Sequence, residues 1–217
     1  MNQLIATLKD NDDGYVHCEI IEASDNTSRR KSIRLTLNDF ISALINEVDV
    51  TELHPLELPE NYVSIKIGNN ISKKITGQIS FIMKAEKRVI TYCNETFLIP
   101  FPDLLFDFTF KQGKLINDAV WAVTKKGELA FFPFTNVHAD GHICWGNARI
   151  PEIDNFKSAT VIAELFLRYP MNTDLANNNS LLKAKVSSMG DFFKLLQTKT
   201  VFPQKYLQTT GKTVQDI

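Results

Sequence analysis

The chain has 217 residues and a net charge of −1, from 24 Lys and Arg against 25 Asp and Glu. That balance excludes a large nucleic-acid footprint, which needs clustered excess cations, and at ~150 residues per domain the length allows one domain with extras or two small ones. Hydrophobic residues at 44% and charged residues at 23% are ordinary for a globular chain, but Phe dominates the aromatic set, with 15 residues against 5 Tyr and 2 Trp.

No apolar run approaches the ~18 to 20 residues that span a bilayer. The opening residues Met1 to Lys9 lack the basic leader and the long apolar stretch of a signal peptide. No membrane association is expected. The cysteines Cys18, Cys93 and Cys144 are widely spaced with no CxxC pair, so a disulfide framework is not expected and a reducing cytoplasm is the default.

Residues 3–8 and 14–22 read as two strands around the polar turn Asp10 to Gly14. Ser24 to Lys31, with its basic run Arg29-Arg30-Lys31, reads as a solvated loop, and 32–36 as a further strand. Phe40, Ile41, Leu44, Ile45 and Val48 recur at helical spacing after Asn38-Asp39, and the prolines Pro55 and Pro59 close that helix. A β-rich middle follows, with strands expected at 62–67, 77–84, 88–93, 104–110, 116–124 and 128–132. Turn residues punctuate it as an antiparallel meander. Cys18 and Cys93 fall in strand-like runs and read as inert sheet residues.

After residue 150 the pattern turns helical. Phe156 to Tyr169 places Val161, Leu165 and Phe166 on one face, and Pro170 ends it. Residues 172–179 read as a polar loop. Ser188-Met189-Gly190-Asp191 opens a second helix with Phe192, Phe193, Leu195 and Leu196 apolar, and the polar tail after Gln208 reads as frayed. The order of elements gives an α+β fold, an antiparallel meander packed on helices. Residues 1–60 form a β-rich N-terminal extension or a small separate domain, and residues 61–217 form the main domain.

One segment stands apart. Phe131 to Asn147 has no regular periodicity and places Asn136, His138, His142 and Cys144 within nine residues, between aromatic flanks. Ala139-Asp140-Gly141 is a turn signal, and Gly146 lets the chain bend just past the cysteine. A cysteine on an irregular polar loop is a better nucleophile candidate than one inside a strand.

This segment resembles the active-site stretch of ubiquitin-conjugating enzymes, which runs His-Pro-Asn, a short turn with Gly, then Ile-Cys-Leu. Asn136 stands eight residues before Cys144, Gly141 three before it, and Ile143 directly before it. The resemblance is closest to the prokaryotic relatives of family D type, the group called protein B of the PRTRC gene clusters. Pro102-Asp103-Leu104-Leu105-Phe106 matches their strand entry, and Asn136-Val137 to Cys144-Trp145-Gly146 their cysteine segment. Three positions depart from the conjugating-enzyme pattern: Phe134-Thr135 replaces His-Pro, and Trp145 replaces the Leu after the cysteine.

The resemblance implies a ubiquitin-conjugating-enzyme-like fold and a catalytic pair, Cys144 and Asn136. Cys144 would carry a ubiquitin-like protein as a thioester, and the Asn136 amide would stabilise the oxyanion formed when an amine attacks. His138, His142 and Asp140 are auxiliary candidates, and Gly141 and Gly146 shape the loop. The implied partners are a ubiquitin-like protein, a ThiF-type activating enzyme and a JAB-type protease, with no cofactor. Plainer readings stand beside these: Cys144 as a buried thiol, Asn136 as a turn residue, the histidines as surface residues and Trp145 as packing. Two other functional classes also stay open. One is a conjugating-like module that only binds its partners, and the other is a metal site built on His138, His142 and Cys144.

Overall fold

The computed structural model describes residues 2–7, 15–24, 27–36, 58–67 and 74–217. The helix expected from Asn38-Asp39 to Val48, with the first of the prolines that close it, lies outside them. Three strands open the chain, β1 (Asn2–Thr7), β2 (Tyr15–Ser24) and β3 (Thr27–Thr36), paired antiparallel in that order. β3 corrects the loop expected over Ser24 to Lys31. Its residues pair with β2 from Ser24↔Thr27 to Tyr15↔Thr36, and Glu22 registers with Arg29. A ladder is made by backbone groups, so a polar run forms a strand wherever a partner strand is in reach.

The middle of the chain supplies β4 (Tyr62–Ile67), β5 (Gly77–Met83), β6 (Lys87–Tyr92), β7 (Glu95–Pro100), β8 (Asp103–Lys111), β9 (Lys114–Val123) and β10 (Glu128–Ala130). The expected strands are present, and β7 is added. The turn joining it to β6 is Cys93-Asn94, with φ of 47° and 67°. Two successive left-handed residues are what a two-residue hairpin requires, and Asn adopts them readily. Cys93 therefore sits exposed at a turn and not inside a strand.

The β6–β7 hairpin leaves the main sheet. β5 pairs directly with β8, giving a six-stranded antiparallel order β11-β10-β9-β8-β5-β4 beside a two-stranded β6-β7 unit. The hairpin turns its Ile90, Phe97 and Ile99 into the core. Phe193 packs on Tyr92 at 5.2 Å and on Phe97 at 5.5 Å between ring centroids. Arg88 donates both guanidinium nitrogens to the Glu164 carboxylate, each at 2.9 Å.

The C-terminal third holds α1 (Ala159–Arg168), α2 (Asn178–Ala184) and α3 (Met189–Gln197). A single 3-10 turn over Phe156–Ser158, capped by Asn155, leads into α1. The buried stripe of α1 is Ala159, Ile162, Ala163, Phe166 and Leu167, and Val161 points to solvent. This corrects the expected face by about one position, roughly the ~100° per residue of a helix. α2 occupies part of the stretch read as a loop. Its polar cap Asn177 accepts from the Ser180 N–H and donates to the Phe132 carbonyl, so a polar sequence begins a helix. α3 starts at the expected Ser188, whose side chain accepts from the Asp191 N–H.

The tail is not frayed. Strand β11 (Thr209–Thr213) pairs with β10, and the Phe131 N–H donates to the Gln208 carbonyl at 3.0 Å. Short polar strands at a sheet edge carry little hydrophobic signal and are held by backbone pairing.

The Phe excess resolves into one core. Leu104, Phe106, Phe108 and Phe110 alternate along the inner face of β8, where Phe81 packs on Phe106 and Phe108, Phe166 on Phe106 and Phe156 on Phe110. Phe134 lies within 6.3 Å of the Phe101, Phe132, Phe192, Phe193 and Phe202 rings, measured between centroids. Fully burying each such ring contributes about 1.5–3 kcal/mol. The outer face carries a smaller cluster of Leu105, Val123 and Leu129, with Trp121, Val214 and Ile217 packed on it. Among the described residues no helix is long and apolar enough to cross a membrane.

Candidate active site

The segment from Asn136 to Cys144 is a small hairpin laid on the free edge of β9. β10 pairs with β9 only at Ala122 and Val123. Beyond them the Val120 N–H donates to the Gly141 carbonyl at 2.9 Å. Within the hairpin the His138 N–H donates to the His142 carbonyl at 2.8 Å, and the Cys144 N–H to the Asn136 carbonyl at 2.8 Å. Val137 and Ile143 face each other as a bridge between them. This is the alternation of hydrogen-bonded and non-hydrogen-bonded pairs of an antiparallel ladder. The eight-residue spacing of Asn136 and Cys144 is thus the register of a hairpin.

The turn closes with the Gly141 N–H donating to the His138 carbonyl at 3.0 Å, and the Asp140 carboxylate accepts from the His142 N–H at 3.2 Å. Gly141 has φ +91°, and a Cβ there would fall 2.4 Å from Cζ2 of Trp121. Both the backbone and the space exclude a side chain. His138 and Asp140 stand exposed at this tip.

Asn136 is buried and takes the left-handed conformation, φ 65°, which Asn tolerates better than most residues. Both ends of its amide are engaged. Nδ2 donates to the Pro170 carbonyl at 3.1 Å, and Oδ1 accepts from the Thr135 hydroxyl at 3.3 Å. An Asn amide has two N–H donors, and Pro170 takes one. The segment after α1 that supplies Pro170 is itself anchored, by the Met171 N–H donating to the Thr91 carbonyl at 2.8 Å. Cys144 is partly exposed and carries a free thiol. Gly146 follows at φ +51°, turning the chain away just past the sulfur.

Sequence reasoning missed Asp118, on β9. Its carboxylate accepts from the Ile143 N–H at 2.8 Å and from the Trp145 indole Nε1–H at 2.9 Å. His142 Nδ1 stands 3.6 Å from the same carboxylate. A signal was available: Asp118 shares strand parity with Val120 and Ala122, so a charged residue occupies a core-facing register. Trp145 packs against the core with its ring 6.0 Å from Phe166, so it is packing as well as a donor. Among the described residues no group of three or more His, Cys, Asp or Glu is placed to hold a metal ion, so His138, His142 and Cys144 do not form such a cluster.

An antiparallel curled sheet with helices behind it and a cysteine hairpin on its edge defines a ubiquitin-conjugating-like module. The family model for prokaryotic E2 family D matches residues 50–210, and the chain belongs to that family. No curated protein and no solved structure matches the chain.

Proposed function

We propose that Cys144 carries a ubiquitin-like protein as a thioester and passes it to an amine. The observation that supports this reading best is the hairpin register that sets Asn136 opposite Cys144. In the first step the Cys144 thiolate attacks the thioester carbonyl held on a ThiF-type activating enzyme. A new C–S bond forms and the thiolate of that enzyme leaves. Exchange between thiols needs no strong base, because a thiolate is intrinsically nucleophilic. In the second step an amine attacks the carbonyl on Cys144. A tetrahedral oxyanion forms, the C–N bond is made, the C–S bond breaks and Cys144 leaves as thiolate.

The free N–H of the Asn136 amide is the donor for that oxyanion, with Pro170 and Thr135 holding the amide in place. His142, exposed and two residues from Cys144, is the acceptor for the proton the amine loses. Asp140 and His138 stand exposed at the hairpin tip and are the further candidates for contact with the incoming amine. The PRTRC-type grouping, a JAB-type protease that would reverse the modification and a reducing cytoplasmic setting belong to the same reading.

The test is a non-reducing gel of the chain with its activating enzyme, the ubiquitin-like protein and ATP. A thiol-sensitive adduct on wild type, absent from Cys144→Ala and replaced by a thiol-resistant ester in Cys144→Ser, is the expected result. If the activating enzyme charges itself and Cys144 never does, the carrier reading fails and the chain is a binding module of the same fold.

A further inference from the structure

We propose that Asp118 is a positioning residue, whose carboxylate holds the strand bearing Cys144 in the geometry that transfer needs. Its consequence for transfer rests on the reading of Cys144 as the acceptor thiol; its structural part does not. Asp118 lies opposite Phe108 at an inward-facing position of β9. Its side chain is 13% exposed. A carboxylate at such a position costs free energy unless donors satisfy it. The two donors described above flank Cys144 on both sides, at Ile143 and Trp145, and His142 Nδ1 approaches the same oxygen that binds Ile143.

The geometry explains why a carboxylate is needed. Ile143 occupies the non-hydrogen-bonded position of the hairpin, so its N–H points away from Val137 and requires an acceptor outside the hairpin. Ile143 and Trp145 alternate with Cys144, and both pack on the core side. Gripping the two neighbours leaves the Cys144 side chain on the opposite face, the face it shares by parity with His142. The same grip keeps the Trp145 ring on the core side and off the sulfur. One carboxylate with two oxygens meets a main-chain and a side-chain donor at once, which a single carbonyl or hydroxyl does less well.

The test uses the full chain with Asp118→Ala, Asp118→Asn and Asp118→Glu. The chain has 2 Trp, so its NMR spectrum carries two indole N–H resonances, and Trp145→Phe assigns them. Asp118→Ala should move the Trp145 resonance and leave that of Trp121. It should change the rate of iodoacetamide alkylation at Cys144 several-fold while Cys93, read by mass spectrometry in the same sample, stays constant. Discharge of the Cys144 adduct to an amine should fall about tenfold or more, as expected for losing a charged hydrogen bond, with charging less affected. Asp118→Asn, which keeps one acceptor oxygen, should lie between; it carries the same measurements if Asp118→Ala does not fold. An unmoved Trp145 resonance and unchanged Cys144 alkylation in a folded variant would overturn the proposal. If wild type never charges, the carrier reading falls alone, and the resonance and alkylation still decide the role of Asp118.

Discussion

The Cys144 N–H donates to the Asn136 carbonyl at 2.8 Å, so the two residues form one hydrogen-bonded pair of a short hairpin. The pair is fixed by register, and register is fixed by the turn at Ala139-Asp140-Gly141. A residue inserted into that turn would bring a different side chain opposite the cysteine. The hairpin is in turn fixed to the sheet by Asp118 and by the Val120 N–H, and to the helical part by Pro170. The site is therefore anchored to two parts of the fold, β9 and the segment after α1, although its sequence is irregular.

Substitutions at Asn136 separate its backbone from its amide. Asn136→Ala must place an alanine at φ 65°, at a cost of about 1–2 kcal/mol. Asn136→Gly removes the same amide without that cost. Urea denaturation should find the Gly variant more stable than the Ala variant by about 1 kcal/mol. Single-turnover discharge of the adduct should be about 100-fold slower in both. Equal transfer by wild type and Asn136→Gly would leave Asn136 as a turn residue only.

The segment carrying the site was legible because its residues are chemically unusual and their spacing matches a hairpin register. Asp118 was not, because it lies 26 positions upstream of Cys144 and a strand aspartate is ordinarily read as solvent-facing. Only knowing that Val120 and Ala122 face the core exposes the anomaly. Strand runs with strong alternation, such as β8, were read to within a residue or two. The first half of β3 and all of β11 escaped, because polar residues line them and backbone pairing makes them, and β7 escaped because only Cys93-Asn94 separates it from β6. The face of α1 was misplaced since Val161 is as apolar as its buried neighbours, and hydrophobicity alone does not order them.

Gly141 is where the hairpin tip rests on the sheet. Gly141→Ala would place a methyl 2.4 Å from Cζ2 of Trp121 and force φ +91° on an alanine. Thermal denaturation should show a loss on the order of 2 kcal/mol. Combining it with Trp121→Leu should recover the steric part and not the backbone part. A double variant no more stable than the sum of its singles would show that the ring is not what the methyl meets.

Phe134 joins the core to the site, since it lies two residues before Asn136, is 1% exposed, and packs among five other Phe rings. Phe134→Ala should cost about 3–5 kcal/mol and Phe134→Leu markedly less. Because the ring fixes the strand entering the hairpin, the Ala variant should also lose the distinct alkylation rate of Cys144 before global unfolding in a urea series. Coincident loss of fluorescence and alkylation protection would show that core and hairpin unfold as one unit.

The Arg88–Glu164 pair ties β6 to α1 and gives stability a defined acid dependence. The bidentate hydrogen bonds from Arg88 hold the Glu164 carboxyl below its ordinary value of 4.5, against the opposing effect of burial. A carboxyl with a depressed folded pKa contributes stability that is fully present above its unfolded value and is lost as pH falls through the folded one. Wild type should therefore be more stable than Glu164→Gln near pH 7, by an amount that narrows below about pH 4.5 and closes at lower pH. Melting temperatures of the two proteins across that range measure the difference. Because Glu164→Gln keeps one acceptor oxygen, Arg88→Met should destabilise at least as much near neutrality. A gap of constant size from about pH 3 to pH 7 would show that the two forms of Glu164 support the hairpin equally, and that the ion pair is not what joins it to the helix.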